Sequence, residues 1–167
     1  MDLLQKLKIL QKIELLYQQV LMLMRKKEEA SKDSIIYKTA KSFLGKDMAK
    51  YQNEFGCAEA LIEIVRLATG IILNGGFSTY LLYGALKNSK DFIQVSIPER
   101  GDIIISPSGY GNKKVPNGHT GIISDNGWIM SNNSIDGLWD EHINLTEWNR
   151  LYKSIGNYPV LFFRFHI

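Results

Sequence analysis

The side chain best suited to chemistry in this sequence is its single cysteine, Cys57. It follows Phe55-Gly56 and stands where the pattern predicts the start of a helix. Unpaired backbone N–H groups and the helix dipole at such a position favour the thiolate, which is the form that attacks a carbonyl carbon. The same N–H groups can donate to the oxyanion that this attack creates. The alternative role for a lone cysteine is that of a small buried hydrophobic residue.

A histidine is the base that such a thiol needs, and His119 is the best placed of the three histidines. It enters a predicted strand from a flexible loop, within residues 117–121 (Asn-Gly-His-Thr-Gly), and its small neighbours leave room for a substrate backbone. His142 is preceded by two acidic residues and fits a surface or hydrogen-bonded role. His166 is the next-to-last residue, where order is hard to maintain.

A catalytic imidazole also needs a partner that fixes its tautomer. The Asp-Asn-Gly sequence at 125–127 predicts a β-hairpin, which brings residues near 131–133 beside residues near 119–121. Alternation along the strand lets only some of these side chains face the site. We favour Asn132 as the partner, with Asn133 close behind it. An Asn-Asn pair that only builds a turn is the alternative.

A cysteine at a helix start, then a histidine in a Gly-His-Thr-Gly strand, then a polar residue one strand later resembles the papain-like peptidoglycan hydrolases of the CHAP and NlpC-like families. The stretch 98–104 (Pro-Glu-Arg-Gly-Asp-Ile-Ile) is similar to the strand that precedes the histidine loop in those families. The resemblance covers roughly residues 50–165. It implies a papain-like α+β fold and a cysteine peptidase or amidase that cleaves amide bonds in peptidoglycan.

The resemblance also implies a role for each residue that matches the family pattern. Cys57 would be the nucleophile, His119 the general base and then the general acid, and Asn132 the third catalytic residue. Gln52 or Asn53, shortly before the cysteine, would help to form the oxyanion hole.

Three further features bear on the site. Glu59 departs from the family pattern, because a charge two residues after the nucleophile raises the thiol pKa unless it points away. Trp139 is a candidate for lining the cleft, although tryptophan in a strand is more often core. Asp136, Asp140 and Glu141 lack the spacing of calcium ligands, and the glycine-rich stretches lack a Gly-Lys-Ser/Thr ending. We therefore expect no cofactor and no metal.

The elements that must position these residues change character along the chain. Helices are predicted over 2–29, from Ser31–Ser34 to about 44, over 57–69 and over 80–87. Strands are predicted over 92–95, 102–106, 119–124, 128–132 and 160–165, with a short helix over 145–152. N-terminal helices followed by a mostly antiparallel β-sheet make an α+β fold.

The first helix is amphipathic and contains neither glycine nor proline over residues 2–29. Apolar residues recur along it at the heptad spacing of a coiled coil: Ile9, Ile13, Leu16, Val20 and Leu23. We therefore predict an amphipathic helical extension over residues 1–30 and a papain-like hydrolase domain over residues 31–167. The helix either packs on its own domain, or self-associates or docks on a partner.

Composition limits the class of protein. A chain of 167 residues with 45% hydrophobic residues can bury a core in one domain. One cysteine excludes an intrachain disulfide framework and a Cys-cluster zinc site. A net charge of +3 is not the signature of a nucleic-acid-binding protein. No stretch resembles a signal peptide or a membrane-spanning segment, so we expect synthesis in a cytoplasm.

The sequence thus predicts a thiol-dependent cell-wall hydrolase whose partner is the peptidoglycan stem peptide. The lack of a signal peptide would fit a phage lysin or a virion-associated hydrolase. Two alternatives remain open. One is a non-catalytic wall-binding or structural module of the same fold, and the other is a cysteine hydrolase of another amide substrate.

Overall fold

The structure, a computed structural model, describes residues 3–31, 34–50 and 56–166. The chain divides into two compact units, Met1–Asp33 and Ser34–Ile167. Within the first unit the described residues form one helix, α1 (Leu3–Ser31). Ile13 and Leu16, on its predicted apolar face, are exposed, at 58% and 63%. No helix in the described ranges is long and apolar enough to span a bilayer.

The second unit begins with three helices, α2 (Ile35–Ser42), α3 (Cys57–Thr69) and α4 (Thr79–Asn88). Their ends follow local capping chemistry. The Ser78 hydroxyl accepts a hydrogen bond from the Leu81 N–H at 3.3 Å and so begins α4. Gly70, with φ of 77°, ends α3 in the left-handed conformation that glycine adopts without strain.

Among the described residues, seven strands form one sheet: β1 (Lys46–Asp47), β2 (Phe92–Val95), β3 (Ile103–Ser106), β4 (His119–Ile123), β5 (Trp128–Asn132), β6 (Leu138–Asn144) and β7 (Leu161–Phe165). Their order is β1-β6-β5-β4-β3-β7-β2, and every neighbouring pair is antiparallel. This architecture confirms the predicted α+β fold, with helices first and an antiparallel sheet after them.

Both faces of the sheet are covered, which explains why strands such as β3 are buried throughout. Helices α2 to α4 pack on one face, against side chains that include Ile122 and Met130. The opposite face packs against the C-terminal helix, α5 (Leu145–Trp148), which continues as a wider π-helical segment, Asn149–Ile155. Because side chains alternate along β4, His119 lies on this second face together with Ile123.

Strand β6, which was not predicted, contains a β-bulge. Ile129 on β5 pairs with Ile143, and Met130 pairs with Glu141, so His142 is an extra residue on β6. Ile143 packs with the C-terminal core, and the ring of His142 lies on the same side, 6.3 Å from the ring of His119. The bulge therefore turns two successive side chains to one face of the sheet.

The stretch 98–104, which carried part of the family resemblance, has a structural role. The buried carboxylate of Asp102 accepts hydrogen bonds from the Glu99 N–H at 2.7 Å and from Arg164 at 2.8 and 2.9 Å. Gly101 precedes it with φ of 90°, and a Cβ there would lie 2.6 Å from the Cβ of Ser34. This Gly-Asp pair ties the start of β3 to β7 and to the start of α2.

Candidate active site

A cavity of about 620 Å³ lies at the ends of the central strands, and both Cys57 and His119 line it. The start of α4, the loop before β4, the turn after β5 and the C-terminal helix form its walls. The structure thus brings the predicted nucleophile and the predicted base to one cavity. Within the described part of the chain, no hydrogen bond joins these two side chains.

Cys57 is the first residue of α3, as predicted, and only 8% of it is exposed. Burial raises the pKa of its thiol to about 11, although the backbone N–H groups of Thr120 and Ala58 oppose this. Burial therefore favours the neutral thiol in the resting protein, against the thiolate that the helix start was predicted to favour. These backbone N–H groups favour the thiolate, but loss of hydration is the larger effect on the pKa.

His119 is held between aromatic rings. Its ring centroid is 5.3 Å from that of Trp148 and 6.0 Å from that of Tyr152, and both pairs are stacked. This burial lowers the pKa of His119 to about 3, and the nearby imidazole of His142 lowers it further. Burial therefore favours the neutral imidazole in the resting protein, as it favours the neutral thiol.

Ser131 is the residue that orients His119. Its hydroxyl oxygen lies 3.0 Å from Nε2 of His119, and among the described residues no other side chain hydrogen-bonds this ring. Pairing between β4 and β5 explains the contact. Ile122 pairs with Met130 and Ile123 with Ile129. Because side chains alternate along each strand, this register places His119 and Ser131 on the same face of the sheet.

The predicted third residue, Asn132, therefore does not contact the imidazole. Alternation places Asn132 on the opposite face of β5 from Ser131, buried beside the helical layer and paired with Trp139. Asn133 does line the cavity, and its Oδ1 accepts a hydrogen bond from the Ile135 N–H at 3.0 Å. That bond closes the turn after β5. Asn133 therefore helps to build a turn, which was the alternative to a catalytic role.

Trp139, which was predicted to line the cleft, lies away from the cavity. Trp139 is fully buried and belongs to the core, where its indole N–H donates to the Ala40 carbonyl at 3.1 Å, so it does not line the cavity. Gln52 and Asn53 lie outside the described residues. Glu59 lines a different cavity, on the helical side of the sheet.

Gly118, next to His119, is required by close backbone packing rather than by room for a substrate. A Cβ on Gly118 would lie 2.2 Å from the carbonyl oxygen of Ser106 and 2.4 Å from the amide nitrogen of Ser108. The Gly118 N–H donates to the Ser108 hydroxyl at 2.9 Å. The strand that carries the base is thus fixed by a close approach of two backbone segments.

Sequence reasoning missed Ser131 and set His142 aside. Ser131 follows from the parity of the hairpin, a signal that was present. His142 lines the cavity because of the bulge in β6, which no local sequence pattern predicts. Burial lowers the pKa of His142 as well, so the second imidazole in the cavity also favours its neutral form. No group of three or more metal-binding side chains occurs among the residues that the structure describes.

Comparison with known proteins gives a likeness of fold. No family model and no curated protein matches this chain. Among solved structures, it is similar to one chain of the type VI native effector-immunity complex Tae3-Tai3 from Ralstonia pickettii. The TM-score is 0.53 at 21% sequence identity, and the match covers 81% of this chain and 99% of that chain.

This comparison corrects the family predicted from the sequence. The assignment to the CHAP and NlpC-like families is wrong, because no family model matches and the structural likeness is to a chain of the Tae3-Tai3 complex. The short motifs that carried the resemblance have local causes here. The Gly-Asp pair at 101–102 anchors a strand, and Gly118 permits a close backbone approach.

Proposed function

We propose that this chain is a cysteine hydrolase that cleaves an amide bond in the peptide stems of peptidoglycan and acts as an antibacterial effector. The observation that carries the proposal is the shared cavity of Cys57 and His119, with Ser131 fixing the imidazole. The fold likeness to an effector-immunity complex supports an effector role. An immunity protein is the less favoured candidate, because blocking an enzyme requires no nucleophile and base in one cavity.

The first half of the reaction forms a thioester. The reaction uses the tautomer in which Nε2–H donates to Ser131, because Nδ1 of His119 then carries the free lone pair that accepts the thiol proton. The sulfur of Cys57 attacks the amide carbonyl as that proton leaves, and the backbone N–H groups at the start of α3 stabilise the oxyanion. His119 then gives the proton to the leaving amine, and the C–N bond breaks.

The second half regenerates the enzyme. Water replaces the amine in the cavity and gives a proton to Nδ1 of His119 as its oxygen attacks the thioester. The C–S bond breaks, the proton returns to the sulfur of Cys57, and a carboxylic acid leaves. The net reaction is hydrolysis of one amide into an amine and an acid, and it draws on no group outside the chain except water.

The test is digestion of purified sacculi, followed by turbidity and by mass spectrometry of released peptides. Wild type should clear the suspension, and Cys57→Ala should abolish clearing. Ser131→Ala should lower kcat about tenfold because it removes one hydrogen bond from the base, and it should alter the pH profile of kcat. Ser134→Ala, which changes another serine lining the cavity, is the matched control and should keep nearly full activity.

Other outcomes identify the alternatives. If folded wild type leaves sacculi intact but hydrolyses another amide in a Cys57-dependent way, the substrate class proposed here is wrong. If Cys57 takes part in no hydrolysis, the chain is a non-catalytic module. The place of action that we propose is the bacterial cell wall, reached from a phage particle or through type VI delivery.

A further inference from the structure

Aromatic side chains form a continuous ladder from the core to the surface. Buried Phe163 meets Tyr83 with ring centroids 6.1 Å apart, and Tyr83 meets Tyr110 edge-on at 5.8 Å. Tyr110 in turn stacks on Tyr80, at 5.9 Å with 26° between the ring planes. The two outer residues stay open to solvent, with 54% of Tyr80 and 47% of Tyr110 exposed. A flat aromatic surface is thus anchored to the core and left uncovered.

The loop that carries Tyr110 is held in place. The Asn112 N–H donates to the Gly156 carbonyl at 2.7 Å. A Cβ on Gly111 would lie 2.1 Å from the ring of Tyr158, so the loop backbone packs directly against that ring. A ring positioned in this way loses little conformational freedom when a ligand binds, and this lowers the free-energy cost of binding.

This aromatic pair lies beside the cavity that holds Cys57. Tyr80 follows Thr79, and Tyr110 lies two residues after Ser108; both Thr79 and Ser108 line the cavity. The Oγ atoms of Thr79 and Ser108 are 2.9 Å apart, which joins the start of α4 to the loop. The backbone segments that carry the two tyrosines thus also form part of the cavity wall.

Polar residues follow Tyr110 in the loop. Asn112, Lys113 and Lys114 are exposed, and Tyr110 itself lies between Gly109 and Gly111. A flat ring bordered by hydrogen-bond donors suits a sugar, because a pyranose has a C–H face that packs on an aromatic ring and hydroxyl groups at its edge.

We infer that Tyr80 and Tyr110 form a saccharide-binding surface, which holds the glycan strand of peptidoglycan while the attached peptide stem enters the cavity. The inference rests on the proposed function and names the part of the substrate that is not cleaved. It accounts for an exposed, rigid aromatic pair beside a cavity whose own chemistry requires only the peptide.

Direct binding tests the surface apart from catalysis. The probe is a β-1,4-linked tetramer of N-acetylglucosamine, titrated into full-length Cys57→Ala protein and followed by NMR. Adding Tyr110→Ala or Tyr80→Ala should weaken binding about three- to tenfold, as expected for one ring contact. Tyr110→Phe should preserve affinity, whereas Tyr110→Leu, apolar but without a flat face, should not.

The control variant is Trp128→Ala. Trp128 is 41% exposed and begins β5, at the end of that strand remote from the cavity. The Trp128→Ala variant should bind the tetramer as tightly as the parent protein does. The inference is overturned if the tetramer does not bind, or if Tyr110→Ala and Tyr80→Ala bind it as tightly as the parent while all variants keep the same unfolding temperature.

Kinetics separate this inference from the proposed function. Tyr110→Ala should lower kcat/KM on sacculi about three- to tenfold and leave kcat/KM on glycan-free peptide stems unchanged. Equal losses on both substrates, or no loss on either, would overturn the inference while hydrolysis by wild type upheld the proposed function. If wild type cleaves neither substrate, the proposed function fails, and the tetramer titration still decides whether the surface binds a saccharide.

Discussion

Alkylation of Cys57 as a function of pH tests the resting state of the candidate site. Only the thiolate reacts with iodoacetamide at a useful rate, so the rate reports the ionised fraction. With a thiol pKa of about 11, about one protein molecule in ten thousand carries a thiolate at pH 7. At the ordinary value of 9.0 the fraction would be about one in a hundred. The folded protein should therefore react roughly a hundredfold more slowly than the unfolded chain.

The assay needs no label, because Cys57 is the only cysteine of the chain. Mass spectrometry follows the gain of one adduct during incubation between pH 6 and pH 11, with protein in denaturant and free glutathione as references. The rate in the folded state should rise tenfold for each pH step of one, with no plateau below pH 10. His119→Ala should change this profile little, because the imidazole is neutral throughout the range.

A rapid reaction at neutral pH, with an inflection below pH 8 that His119→Ala removes, would refute the reasoning. It would mean that the thiol and the imidazole form an ion pair in the resting protein, as helix-start cysteines beside histidines do in some enzymes. The argument that burial exceeds the helix dipole would then be wrong for this cavity. A slow reaction at every pH would instead point to steric exclusion of the reagent, which the smaller probe hydrogen peroxide distinguishes.

Three other predictions concern stability. Burial holds the pKa of folded His119 at about 3, below its ordinary 6.5, so only the unfolded chain takes up this proton as the pH falls. The free energy of unfolding should therefore drop by roughly 2–3 kcal/mol from pH 6.5 to pH 4.5. Urea titrations of wild type and His119→Gln at both pH values measure the difference. Gly118→Ala should cost about 2–4 kcal/mol because its Cβ meets backbone atoms that cannot move aside, which a lower urea midpoint would reveal. The pKa of Asp125 is lowered to about 2, first by the Tyr37 hydroxyl and then by Arg100, so this carboxylate stabilises the fold above about pH 4 and stops doing so as the pH falls towards 2. Asp125→Asn should therefore lower the free energy of unfolding by about 1 kcal/mol at pH 7, and this loss should vanish as the pH falls to 2. The effect is small because the Asp125 side chain is 40% exposed, and thermal unfolding at each pH measures it.

The parts of the fold that follow from neighbouring residues could be predicted. Helix α3 runs from Cys57 to Thr69, as the sequence indicates, because a glycine follows it and apolar residues recur at helical spacing. The 125–127 turn joins β4 and β5 as its Asp-Asn-Gly sequence requires, with Asn126 and Gly127 both at positive φ. Local chemistry decides these features, so a single sequence is enough to find them.

Strand β6 could not be found in this way. Its sequence, Leu-Trp-Asp-Glu-His-Ile-Asn, lacks clean alternation, because the bulge at His142 shifts the pattern by one residue midway. One of its charged groups has two distant partners: Glu141 accepts hydrogen bonds from Ser124 and from Lys41, the latter at 3.0 Å. The sequence of such a strand resembles that of a loop, because the elements that bind its polar side chains are distant in the chain.

The third residue of the site shows how a correct element can still give a wrong contact. The hairpin was predicted, and alternation along β5 places Ser131 and Asn132 on opposite faces. The missing step was to extend the pairing across the turn to His119, which gives Ser131 the same parity as the histidine. Asparagine was preferred for its chemistry, but a hydroxyl on the correct face binds the imidazole, and an amide on the opposite face does not.

The pKa values of the site depend on residues far away in the sequence, and they limit the mechanism. Trp148 and Tyr152, contributed by the C-terminal helix, enclose His119 and remove water from it. Moving a proton from a thiol of pKa about 11 to an imidazole of pKa about 3 costs on the order of 10 kcal/mol before the two charges attract each other. A resting ion pair is therefore disfavoured, and the proton must move together with the attack on the carbonyl. In this mechanism removal of Ser131 acts on the basicity of Nδ1, so its effect should appear in kcat more than in KM.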